Sequence, residues 1–227
     1  MIKFYNDFIE ALLTAGFTLA GDADGIYSVS PWGFETNGEE SDFLSGDPET
    51  DRWEWCSRIL NTRPDILYGK LFFGKSGYIT KEWFPYFLAA RQGGVTLEEA
   101  YADGTVSHYA KRIYDVLAES GMQQPPDIKQ KCGFTKEDKA GFERAMAELQ
   151  AKMYIATCGR QQKVSQQGEP YGWPTAVFCT MEQFMGDEVF SDAAEIGRDE
   201  AAASIRKQVL KLNPNANEKK ITKFIYG

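Results

Sequence analysis

Histidine is nearly absent from this sequence: His108 is the single one among 227 residues. Catalytic zinc sites and Ser-His-Asp triads need imidazole beside further ligands or a nucleophile, and His108 stands at a helix start with no such motif around it. No Gly-x-Gly-x-x-Gly follows a strand and no Walker sequence occurs, so neither a nucleotide nor any other cofactor is expected, and no metal. Cysteine is scarce and scattered. Cys56, Cys132, Cys158 and Cys179 form no Cys-x-x-Cys pair, which excludes a zinc ribbon or a thioredoxin-like motif and predicts reduced core residues. No apolar run approaches the ~20 residues that cross a bilayer, and the charge within Met1 to Asp7 comes too early for a secretory leader. These absences predict a cytoplasmic protein without a membrane partner. Positive charge is short as well: 25 Lys+Arg face 33 Asp+Glu, a net charge of -8. A protein that coats nucleic acid indiscriminately is excluded, because that affinity comes from cations meeting phosphate.

What is present is a chain with 43% hydrophobic and 14% aromatic residues, enough for one large or two small domains with proper cores. Its charge is uneven. Residues 1–104 carry 8 Lys+Arg against 17 Asp+Glu, residues 105–180 carry 10 against 8, and the remainder 7 against 8. The one positive segment is also the one where local signals agree on a module. Ser107 is placed to cap a helix with Ala110, Ile113, Tyr114 and Leu117 on one face, stopped at Gly121. Pro125-Pro126 allow a short helix to Cys132. Thr135 and Asp138 open a third, with Phe142, Ala145, Met146, Leu149 and Met153 at helical spacing. The period then changes to that of strands around Tyr154 to Cys158 and Thr175 to Cys179, joined across Ser165-Gln166-Gln167-Gly168-Glu169-Pro170. Three helices and a hairpin is the order of a winged helix.

Ahead of it, residues 2–15 place Phe4, Phe8, Ile9, Leu12 and Leu13 on a helical stripe ended by Gly16. Residues 21–41 read as a loop carrying an aromatic plug of Tyr27, Trp32 and Phe34. Asp47 is expected to cap a helix with Pro48 at its first position and Trp53, Cys56, Ile59 and Leu60 inward. The stretch Ile66 to Ile79 allows either a hairpin across Gly74 to Gly77 or a helix ending there. After Thr180 a helix over 200–212 and a short amphipathic piece over 218–225 are expected. The division that follows is an acidic, aromatic-rich helical part (1–104), a winged helix (105–181) and a C-terminal helical extension (182–227). The fold class is mainly α with small β-hairpins (α+β).

The Asp47-Pro48 to Arg58 segment, the block YGKLFFGKSGYITKEWFPYFLAAR from Tyr68 to Arg91 and the winged helix after it together resemble the AlkZ-related branch of the bacterial AlkZ/YcaQ proteins, over about residues 45–180. The founding members are winged-helix DNA glycosylases, so the resemblance implies tandem winged-helix architecture, with residues 1–104 open to being the second winged helix, a double-stranded DNA partner and monofunctional hydrolysis of an N-glycosidic bond. The glycosylases carry their catalytic pair in a Gln-apolar-Gln or Gln-apolar-Asp motif ahead of a helix. Its counterpart is Ser45-Gly46-Asp47, where Asp47 matches the second member, Ser45 replaces the glutamine and Gly46 the apolar residue. Asp47 would steady the sugar cation while Ser45, or a nearby carboxylate such as Asp51 or Glu54, places water. DNA contacts are expected from Lys136, Lys139 and Arg144 on the third helix and from Arg160, Gln161, Gln162 and Lys163 on the wing. The sequence therefore predicts a winged-helix DNA-binding protein with a degenerate catalytic motif. Its alternatives are an active glycosylase for alkylated bases and a non-catalytic module that binds a protein.

Overall fold

A computed structural model describes residues 2–20, 46–164 and 167–227. The expected aromatic plug over 21–41, Ser45 and the first two residues of the Ser165–Pro170 turn lie outside the described residues. The chain opens on α1 (Tyr5–Ala15), whose Phe8, Ile9, Leu12 and Ala15 are buried. Gly16 ends it at φ 85°, and a Cβ there would strike the Trp83 indole. β1 (Phe17–Leu19) follows.

The helix expected from Pro48 starts a turn later, as α2 (Arg52–Thr62). Asp47 closes the preceding turn and Asp51 is the cap: its carboxylate accepts from Trp53 N at 2.8 Å and Gly46 N at 2.8 Å, and its residue is buried. The helix starts there because the side chain best placed to take an unpaired first-turn amide is the buried one.

The ambiguous stretch is a hairpin of β2 (Ile66–Phe72) and β3 (Lys75–Thr80). Phe73 and Gly74 both take positive φ, 55° and 70°, the backbone that suits a two-residue turn between twisted strands. The antiparallel sheet has the order β1-β3-β2. A single 3-10 turn, Lys81–Trp83, leads into α3 (Phe84–Arg91), and α4 (Leu97–Ala102) begins on a Thr96/Glu99 capping box.

The module expected over 105–181 holds α5 (His108–Ser120), α6 (Pro125–Lys131) and α7 (Lys139–Ala151), then β4 (Ile155–Val164) and β5 (Pro170–Thr180). Ser107 caps α5 as expected, accepting from Ala110 N. Gln123, in the α5–α6 connection, exchanges two backbone hydrogen bonds of 2.9 Å with Phe178 and so adds a third, one-residue strand beside the hairpin. The core of this unit joins Ile113, Leu117, Ile128, Phe142, Leu149, Ile155 and Phe178, and includes Leu97 and Ala100 from α4.

The C-terminal segment forms α8 (Met181–Met185), α9 (Asp187–Glu195), α10 (Arg198–Leu212) and α11 (Glu218–Tyr226). Helices α9, α10 and α11 lie against α3. The Phe224 ring stacks on Phe72 at 4.0 Å and 7°. The largest core draws Leu67, Phe72, Phe87, Met153, Cys179, Ile205, Val209 and Phe224 from all three stretches of the sequence. The structure is of the α+β class. Among the described residues no helix is long and apolar enough to cross a membrane.

Candidate nucleic-acid interface

At the junction of α6 and α7 lies an open groove of about 580 Å3, lined by Lys129, Phe134, Thr135, Lys136, Lys139 and Phe142 among others. Lys136 and Lys139 are exposed at its rim, and the Lys129 ammonium sits 4.6 Å from the centre of the Phe142 ring. Of the acids on and beside this helix, Glu137 and Glu143 are exposed, and Asp138 and Glu148 are held by hydrogen bonds. Asp138 is engaged by the Tyr109 hydroxyl at 2.6 Å and by Thr135 N and Oγ1 at 2.8 and 2.9 Å, and the Tyr109 bond, first among these, holds its carboxyl below the usual range. Tyr109 reaches it by crossing Gly141, where a Cβ would meet the ring at 2.8 Å. Glu148 is turned away to Ser107, whose N and Oγ donate at 3.1 and 2.6 Å. Arg144 is exposed farther along α7, between the exposed Glu143 and the buried Ala145.

The hairpin residues expected to contact DNA divide between two places. Lys163 is exposed, Gln161 accepts from Gln124 Nε2 at 2.8 Å, and Gln162 donates to Gly172 O at 2.9 Å. Arg160 instead turns inward onto α2, donating to Ser57 Oγ at 3.0 Å and to Cys56 Sγ at 3.4 Å. Its guanidinium carbon lies 4.0 Å from the centre of the Trp53 ring. Close by, the Tyr68 and Tyr78 rings lie with centres 5.0 Å apart. Burial pushes the Cys56 thiol up against the opposing effect of Arg160, and burial, with Cys56 next, pushes Tyr68 up to about 12.

Between the end of α2 and the base of the hairpin a cleft of about 490 Å3 is lined by Leu60, Asn61, Met122, Cys158, Cys179 and Phe184 among others. Cys158 Sγ donates to Val177 O at 3.5 Å, and the proximity of Cys158 pushes the Cys179 thiol up. All four cysteines are free thiols. No group of three or more His, Cys, Asp and Glu placed to hold a metal occurs among the described residues.

Asp47 is exposed, and its carboxylate accepts from Glu49 N at 2.9 Å and from Thr50 Oγ1 at 3.1 Å. Asp47 stands before α2 on the turn that leads to Trp53, and α2 packs against β4, the strand that holds Arg160.

A profile of the AlkZ-related family matches residues 2–226. The chain belongs to the AlkZ-related family. The match reaches well beyond the 45–180 region on which the sequence resemblance rests, taking in α1 and all of the C-terminal helices. No curated protein matches. Among solved structures, the Streptomyces sahachiroi DNA glycosylase AlkZ is similar, with 14% identity and a TM-score of 0.38. The match covers 77% of this chain and 50% of that one, so the chain spans half the length of that AlkZ structure. Within this AlkZ-related chain, two features escaped sequence reasoning. The turn of Arg160 onto α2 needs the tertiary contact to be visible. The approach of Trp173 to Trp53, with ring centres 6.1 Å apart, has only the local Gly172-Trp173-Pro174 sequence as a forewarning.

Proposed function

We propose that this AlkZ-related protein binds duplex DNA, with residues 105–181 acting as a winged helix that presents Lys136, in the turn before α7 rather than on the helix, and Lys139, at its first position, to the phosphate backbone. The groove at the α6–α7 junction carries the reading: three lysines line it against one acid, Asp138, whose carboxylate is oriented by Tyr109 and Thr135. In an acidic chain a local basic surface of this kind supports a positioned interaction rather than indiscriminate coating. Lys163 on the wing extends the same surface, and Arg144 adds a cation farther along α7.

Binding is preferred to base hydrolysis because the Asp47 carboxylate closes its own turn, a structural task it performs without substrate. The test is a labelled random-sequence duplex titrated at two salt concentrations. Each phosphate contact adds ~0.9 to the slope of log affinity against log salt. The wild type is expected to weaken steeply with salt, and the Lys136→Glu/Lys139→Glu double variant to lose about ten-fold or more in affinity with a shallower slope. A wild type with no affinity at low salt overturns the reading in favour of a module that binds a protein.

A further inference from the structure

Trp173 is 63% exposed, one of the most exposed large apolar side chains among the described residues, and the way the hairpin presents it is specific. Strand pairing runs Gln161 with Thr175 and then Lys163 with Tyr171, so a single residue of β4, Gln162, faces three of β5: Gly172, Trp173 and Pro174. A bulge of this kind bends the strand and re-aims a side chain. Gly172 takes φ 63°, and its carbonyl is pinned by the Gln162 amide at 2.9 Å. Pro174 follows with a fixed φ and no donor to return to the ladder. The result brings Trp173 to Trp53 of α2, with ring centres 6.1 Å apart and planes at 81°.

Two indoles at right angles make a corner. A planar ring seated there stacks on one face and sets its edge against the other, the pair of geometries aromatic rings favour. Behind Trp53 stands Arg160, half-buried, with hydroxyl and thiol partners and, among the described residues, no carboxylate within ion-pair distance. The nearby Glu49 is paired with Arg58 at 2.8 Å. Arg160 lies against Trp53 rather than the exposed Trp173, so it holds one wall of the corner while the indoles supply the stacking surface, and aromatic platforms of this kind hold unpaired bases with little regard for sequence.

We propose that the Trp53–Trp173 corner, backed by Arg160, receives one unpaired nucleobase of a duplex, so that the protein prefers duplex DNA with a disrupted base pair to fully paired DNA. This rests on the duplex-binding reading above. The task of Trp173 is distinct from that of the lysines: they fix the protein on the backbone, and the corner selects the unstacked base.

The experiment compares the full chain on a fully paired duplex and on the same duplex carrying one unpaired 2-aminopurine, at two salt concentrations. The wild type is expected to favour the interrupted duplex by about ten-fold or more, within the range of stacking one base on an aromatic side chain, with quenching of the 2-aminopurine fluorescence. Trp173→Ala should lower that preference to under about two-fold while holding affinity for the paired duplex within about two-fold, because the lysines are untouched. Trp173→Phe should keep most of the preference. Salt-dependent binding by the wild type with equal affinity for the two duplexes removes the corner and leaves the duplex reading standing. A Trp173→Ala variant that retains the preference also overturns it. Absence of binding to either duplex overturns both.

Discussion

Tyr68 is a single side chain on which a pH dependence turns. Burial, with Cys56 as the next cause, raises it from an ordinary phenol to about 12. The folded state thus favours its neutral form. Its contribution to stability is complete below the unfolded value near pH ~10 and is lost as pH rises toward about 12. A shift of this size corresponds to about 2–3 kcal/mol. Urea midpoints measured across that alkaline window should fall less steeply for Tyr68→Phe than for the wild type, and equal slopes would show that the phenol is not held neutral by the fold. The sequence marked Tyr68 as part of an apolar run. It gave no sign of the Cys56, Tyr78 and Arg160 neighbours, because they come from α2, β3 and β4, between 10 and 92 positions away in the chain.

At the scale of the element, the start of α2 separates two aspartates that look interchangeable in sequence. Asp47 with Pro48 behind it reads as the more regular cap, yet Asp51 is the buried residue whose carboxylate takes two backbone amides. Asp51→Ala is expected to cost about 1–2 kcal/mol, the upper part of the range for lost caps, and Asp47→Ala less, about 0.5–1 kcal/mol, because its turn-closing hydrogen bonds are exposed. Chemical denaturation of the two variants checks the order; the reverse order would return the cap to Asp47. Other elements were legible for a clear reason. The faces of α1, α5 and α7 have strong helical periodicity, and Ser107, Gly16 and Gly121 punctuate them locally. The β2–β3 hairpin was open to two readings because a short apolar run has no decisive period, and the choice lay in the positive φ of Phe73 and Gly74. Helices α8 and α9 went unread because their short, mostly exposed sequences bury few residues, chiefly Met181 and Val189.

At the scale of the whole molecule, Arg91 joins parts that the sequence divides. Its guanidinium is buried and donates to the carbonyls of Ala151, Phe224 and Ile225 at 2.8 to 3.0 Å, fastening α3 to the ends of α7 and α11. Desolvation lowers it to about 9, which still leaves the cation charged at neutral pH. The neighbouring Gln92 donates to Lys152 O and Met153 O. These ties and the shared core predict one cooperative unfolding transition, with far-UV dichroism and tryptophan fluorescence coincident. Arg91→Met should lower the midpoint by about 2–4 kcal/mol in stability, since it strands three buried acceptors. Separate transitions in the wild type would instead mean that the three segments unfold independently.

The sequence by itself determined the helix-forming faces, the three-helix and hairpin order of residues 107–180 and the placing of positive charge there, because periodicity, caps and composition are local properties. It also carried the family resemblance, whose match extends over residues 2–226. The tertiary structure decided what faces what. Arg160 left the wing surface for α2, Trp173 came to Trp53, and the C-terminal helices entered the largest core. Those contacts join residues far apart in the chain, and they are fixed by packing and by the pairing of buried polar groups, which no single segment contains.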